Sequence, residues 1–159
     1  MRDVLDGLRA EAQDGGVQLE WEGWCGLRVA STAGVLTSLV SNLVRNAIKY
    51  MGDRPRRVVT VRAVPAEECV RVEVEDTGPG VPAAIAGSLF EPFVRGVTDK
   101  GGIGLGLATV RELTRAHGGT SGFRPRPGGG SLFWFELPRV GGIGDEAPPR
   151  LKGHAAPPF

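Results

Sequence analysis

The sequence predicts an α/β fold of the α+β kind: a two-layer sandwich, with a mixed sheet of about five or more strands and about three helices on one face. Three observations predict it. Apolar residues at Val35, Leu36, Leu39, Val40, Leu43, Val44, Ala47 and Ile48 recur at three- and four-residue steps, which is one stripe of a long helix. Strand-like segments come in pairs: the β-branched runs Val58 to Val64 and Val70 to Val74, then Thr120 to Phe123 and Ser131 to Leu137. Single helices separate the pairs, unlike the regular strand–helix alternation of a parallel sheet.

The elements follow in chain order. Val4, Leu5, Leu8 and Ala12 share one face of a helix over 2–14, stopped by Gly15-Gly16. Val17 to Trp21 alternates and reads as a strand; Leu27 to Ala30 reads as a second, short one. Ser31 or Thr32 supplies a hydroxyl cap for the long helix, which Gly52 and Asp53 end. In Val70 to Val74 the valines alternate with Arg71 and Glu73, so one sheet face is wet. Residues 76–102 are rich in glycine and proline, with Ala83 to Leu89 as a short helix. A helix over Gly104 to Ala116 ends at Gly118-Gly119, and the last two strands flank a turn around Pro125 to Gly130. Three segments result: 1–15 as a helical connector or the remnant of a preceding helix hairpin, 16–140 as one globular domain, and 141–159 as a disordered tail of Gly, Pro and charge.

Composition excludes several classes. A formal net charge of +1 gives no electrostatic case for nucleic acid. No apolar run approaches the roughly 20 residues of a spanning helix, and the first residues lack the apolar core of a secretory signal, so direct membrane insertion is not expected and the cytoplasm is the default compartment. Cys25 and Cys69 are the 2 cysteines and form neither a disulfide framework nor a zinc site.

The chemistry concentrates in a few stretches. Asn42 and Asn46 are one helical turn apart on one face, where amide oxygens can ligate Mg²⁺, a hard cation. Asparagine is a poor helix former, so two in mid-helix call for a reason. Lys49 and Tyr50 extend that face: a point charge for phosphate and a ring for a base or ribose. Asp76 follows the alternating strand and opens Thr77-Gly78-Pro79-Gly80-Val81. A carboxylate there accepts from the exocyclic amine of adenine and rejects the carbonyl of guanine, although the same residues also make a plain turn. Gly102-Ile103-Gly104-Leu105-Gly106-Leu107 runs into a helix whose first N–H groups form an anion site. Between them, Phe90-Glu91-Pro92-Phe93 followed by Arg95 and Lys100 reads as an anchored lid with two phosphate contacts.

These motifs, in this order and spacing, resemble the catalytic ATP-binding domain of bacterial sensor histidine kinases. That domain is part of the superfamily that includes gyrase, Hsp90 and MutL and shares the Bergerat fold. The resemblance covers about Leu19 to Pro138: an N box (Asn42 to Tyr50), two glycine boxes (Asp76 to Gly80 and Gly102 to Leu107), an F box (Phe90 to Phe93) and the closing strand Gly130 to Pro138. It implies ATP and Mg²⁺ as cofactors, with Asn46 as the catalytic metal-holding residue, Asn42 supporting it and Asp76 reading adenine. Gly104 and Gly106 let the loop approach phosphate, and 90–102 form the lid. ATP-hydrolysing members of the superfamily carry glutamate where this chain has Asn42. Asparagine cannot act as a general base, so the acceptor is expected to be something other than water.

The resemblance also implies partners: a histidine-bearing dimerisation domain in cis or in trans, and a response regulator downstream. Of the 2 histidines, His117 sits at a helix end with a structural role and His154 in the tail. Either the chain is a fragment or the acceptor is supplied in trans. Val29 to Thr32 departs from the family, which usually has aspartate there. A serine kinase of the anti-sigma-factor class and a non-catalytic partner-binding module of the same fold are the alternatives.

Overall fold

The computed structural model describes the backbone of residues 2–23, 27–92 and 105–140. Its elements are α1 (Arg2–Asp14), β1 (Gln18–Glu22), α2 (Ala33–Lys49), β2 (Val58–Pro65), β3 (Cys69–Asp76), α3 (Ala83–Ala86), α4 (Gly106–Ala116), β4 (Thr120–Pro125) and β5 (Ser131–Pro138). The strands form one five-stranded sheet in the order β1-β2-β3-β5-β4. β1 runs parallel to β2 and the other pairs are antiparallel, so the sheet is mixed as expected.

The two-residue period of the strands sorts their side chains. Val59, Val61 and Ala63 of β2, Val70, Val72 and Val74 of β3, and Phe133, Phe135 and Leu137 of β5 all join the core. Against them α2 lays Leu39, Val40, Leu43, Val44 and Ala47, the stripe its periodicity announces. α4 adds Val110, and α1 adds Leu8 and Ala12, 1% and 0% exposed. Glu11 of α1 also pairs with Arg45 of α2 at 2.9 Å. The opposite sheet face is charged: Arg62 bonds both Glu22 and Glu75, and Arg71 bonds Glu136 while stacking 4.4 Å from the Trp134 ring. Neutralised pairs of this kind suit a wet sheet face.

Thr32 is the hydroxyl that caps α2; its Oγ1 accepts from the Val35 N–H at 3.2 Å. Three expectations change. Leu27 to Ala30 is not a strand: only Val29 bridges, to Arg139 just past β5, a strand whose two ladders are already taken by β3 and β4. The short helix ends at Ala86 rather than Leu89, and α4 begins at Gly106. The tail 141–159 lies outside the described residues, as does Cys25.

Candidate functional site

Three elements converge at one end of the sheet, on its helix-covered face. β3 delivers Asp76 at its last position, directed inward by the same alternation that buries Val72 and Val74. α2 brings Asn42 and Asn46 along one edge and finishes at Lys49 and Tyr50. α4 starts beside α2. Two close approaches tie them together. A Cβ on Gly78 would lie 2.9 Å from Asp76 Oδ1 and 3.1 Å from the Tyr50 carbonyl oxygen, so the end of α2 rests on the turn after β3. A Cβ on Gly106 would lie 3.2 Å from Asn42 Oδ1, so the start of α4 rests on the asparagine face of α2. Glycine at these two positions is what lets the backbones meet.

Asp76 is 6% exposed. Its Oδ1 accepts from the Gly78 N–H at 2.8 Å and the Ser131 N–H at 3.3 Å. Neither bond uses Oδ2. Burial pushes the carboxyl above the ordinary aspartate range; the N–H of Gly78, Ser131 and the charge of Arg126 pull the other way. Thr77 pins the turn to β2, accepting from the Val58 N–H at 3.0 Å and donating to the Arg56 carbonyl at 2.7 Å. Gly80 has φ +83° and continues the turn, and Val81 packs against the core edge.

Asn42 Nδ2 donates to the Ser38 carbonyl at 2.9 Å, which orients the amide and leaves Oδ1 without a hydrogen bond among the described residues. Asn46 is half-buried, and its amide bonds nothing among the described residues. Lys49 Nζ lies 5.1 Å from the centre of the Tyr50 ring, a cation–π contact at the helix end. At α4, Leu105 occupies the N-cap without a side-chain bond to the first turn, so the first N–H groups of the helix keep their donor capacity. Leu105 is 40% exposed and Leu107 packs on the core.

Of the residues singled out in the sequence, Asn42, Asn46, Lys49, Tyr50, Asp76, Gly78, Gly80, Val81, Leu105, Gly106 and Leu107 thus lie on three neighbouring elements. Phe93, Arg95, Lys100, Gly102, Ile103 and Gly104 lie outside the described residues. The start of the F box is described: Phe90 packs edge-on against Phe133 at 6.4 Å, and Glu91 pairs with Arg111 of α4. His117 is the C-cap of α4, its Nδ1 2.8 Å from the Leu113 carbonyl, in keeping with a structural role. Sequence reading missed Ser131, Arg126 and Arg54. Arg54 donates to the Gly78 carbonyl at 3.3 Å. Ser131 lies in the closing strand but carries no local sign of a bond to Asp76, Arg54 stands in no motif, and Arg126 lies in a Pro- and Gly-rich turn that reads as linker.

Among the described residues no group of three or more His, Cys, Asp or Glu could hold a metal ion, and no helix is long and apolar enough to cross a membrane. An amide oxygen together with ligand phosphate is another donor set for a hard cation. Asn46, whose amide bonds nothing among the described residues, is chemically suited to that donor set.

Known proteins resemble this chain in sequence and in fold. The chain is 39% identical over 143 residues to the sensor protein CutS of Streptomyces coelicolor, covering 85% of this chain and 33% of that one. It is 34% identical over 147 residues to the sensor histidine kinase AruS of Pseudomonas aeruginosa, covering 86% and 14%. The chain therefore spans a third or less of the length of these curated relatives. Among solved structures, the catalytic domain of histidine kinase ThkA superposes with a TM-score of 0.76 at 27% identity, covering 87% of this chain and 89% of that one. Full-length ShkA in complex with AMPPNP superposes with a TM-score of 0.74 at 33% identity, covering 87% and 29%. Residues 32–141, more than half of the chain, match the family described as Histidine kinase-, DNA gyrase B-, and HSP90-like ATPase. The chain belongs to that ATPase family, and its fold is the one found in histidine kinase catalytic domains.

Proposed function

We propose that this chain is the ATP-binding catalytic domain of a cytoplasmic two-component sensor histidine kinase. It passes the γ-phosphoryl group of ATP to a histidine on a dimerisation domain, in cis or in trans, for a response regulator downstream. The observation that carries the reading is the meeting of three motifs through two glycine contacts, Gly78 on Asp76 and Tyr50, and Gly106 on Asn42. An acceptor for an amine, a pair of amides and a helix start without a side-chain cap then lie on neighbouring elements. The relatives are sensor kinases, and the ShkA structure carries an ATP analogue.

The roles follow from the donors and acceptors. Asp76 Oδ2 accepts from the adenine amine while Oδ1 stays with the turn. Asn46 supplies an amide oxygen to Mg²⁺, which when bound neutralises phosphate charge. Asn42, held by the Ser38 carbonyl, supports that face from a fixed orientation. The first N–H groups of α4 take phosphate oxygens. Lys49, Arg95 and Lys100 add positive charge, and Tyr50 and Phe93 flank the nucleotide. Gly80, Val81 and the stretch Gly102, Ile103, Gly104, Leu105, Gly106 and Leu107 complete its walls. Asn42 offers no general base to water, so hydrolysis is slow and transfer rests on positioning an acceptor in line.

Calorimetry with Mg²⁺–ATP on the purified chain, then addition of a separately produced histidine hairpin and labelled ATP, tests the reading. Binding followed by acid-labile label on the hairpin is the expected result. Label on serine, or no binding of ATP with Mg²⁺, would overturn it.

A further inference from the structure

We infer that Arg126 is a positioning residue for base selection, holding the Asp76–Gly78 turn in the register in which the Asp76 carboxylate meets the base. The inference rests on the reading of Asp76 as the base-reading group. It adds a residue outside every motif, on the hairpin between β4 and β5.

The guanidinium of Arg126 grips two successive residues of β3. Nη1 donates to the Asp76 carbonyl at 3.0 Å, and Nη2 pairs with Glu75 at 2.6 Å. A planar fork suits two acceptors at fixed spacing in a way that a single ammonium does not. The hairpin that carries it is itself closed: the Arg126 N–H donates to the Gly130 carbonyl, and the Gly129 N–H to the Arg126 carbonyl, both at 3.2 Å. Gly130, at φ +94°, lies so close to the Asp76 carbonyl that any Cβ would collide with it. The next residue, Ser131, donates its N–H to the Asp76 carboxylate. One hairpin thus touches Asp76 at both its carbonyl and its side chain.

The far side of the turn is held independently by Thr77 on β2 and by Arg54 on the Gly78 carbonyl. Arg126 therefore governs the near side. Its charge also bears on ionisation. Among the described groups around Asp76, Glu75 is shared between Arg62 and Arg126, Arg54 faces Gly78 rather than the carboxyl, and Arg126 is the cation that favours the charged form. A neutral Asp76 would present a hydroxyl proton, which suits guanine's carbonyl, so geometry and charge act in one direction.

The test measures Mg²⁺–ATP and Mg²⁺–GTP binding by calorimetry, from mildly acidic to neutral pH, on the full chain and on Arg126→Met, Arg126→Lys and Asp76→Asn. Thermal unfolding of each monitors the fold. Arg126→Met is expected to weaken ATP binding by about fivefold, the size of one hydrogen bond. It also narrows the ATP-to-GTP ratio and moves the acid loss of ATP affinity to higher pH. Arg126→Lys restores the pH profile through its charge but recovers the ratio only in part. Should Arg126→Met unfold, Glu75→Ala removes the partner of Nη2 and narrows the ratio by itself. An unchanged ratio and pH profile in a folded Arg126→Met, or an unchanged ratio in Glu75→Ala if that variant has to decide, overturns the inference while Asp76→Asn still loses ATP preference. If Asp76→Asn keeps the wild-type base preference, the base-reading assignment itself falls, and this inference with it.

Discussion

Replacing Asp76 by asparagine separates what this residue does for the fold from what it does for a ligand. Asparagine keeps an oxygen where Oδ1 now accepts from Gly78 at 2.8 Å and Ser131 at 3.3 Å, so the turn retains both bonds. It is also neutral. Burial disfavours the native carboxylate, so the fold gains or loses little, and the thermal midpoint should stay level or rise. At the Oδ2 position, however, an NH₂ donor now faces the amine of adenine. A hydrogen bond to a charged group contributes about 1.5–3 kcal/mol. Its loss weakens ATP binding roughly 10- to 150-fold. The new donor matches the guanine carbonyl, so GTP binding should hold or improve. Calorimetric titration with each Mg²⁺–nucleotide reads both numbers. ATP affinity within roughly threefold of wild type, under ~0.7 kcal/mol, refutes the reasoning. So does an equal loss for both nucleotides, since that reports a damaged turn rather than a misread base.

The remaining predictions concern the same surfaces. Because burial raises the Asp76 carboxyl, with Gly78, Ser131 and Arg126 opposing, acidification protonates it before an exposed aspartate would titrate. ATP affinity is full above that raised value and declines as pH falls through it. Stability without ligand responds with the opposite sign, because the folded state holds this proton more tightly than the unfolded chain; the contribution is gained on acidification and absent from Asp76→Asn. Asn46→Ala should leave stability unchanged or raise it by up to ~0.7 kcal/mol through helix propensity, yet abolish the Mg²⁺-dependent part of ATP affinity. Equal Mg²⁺ dependence in variant and wild type, by titration with and without chelator, removes Asn46 from the metal. Leu8→Ala should destabilise the domain by about 2–5 kcal/mol in urea unfolding, since Leu8 is 1% exposed in the shared core. A change below ~1 kcal/mol would mean that α1 is an appendage rather than part of the domain.

Local pattern by itself determined the long helix and the alternating strands, and it singled out the candidate site groups. A stripe from Val35 to Ile48 can bury only one way, and it leaves Asn42 and Asn46 at the edge. The alternation from Val70 to Val74 directs Asp76 inward without knowledge of its neighbours. The tertiary structure decided which segments meet. It placed β5 between β3 and β4 and set β1 parallel to β2, and it denied Leu27 to Ala30 a place in the sheet. It also brought Arg126 and Ser131 onto Asp76 from 50 and 55 residues away. The physical reason is that periodicity along a chain reports whether a face is buried. It holds no record of the partner, because a ladder or a side-chain bond between distant residues depends on how whole elements pack.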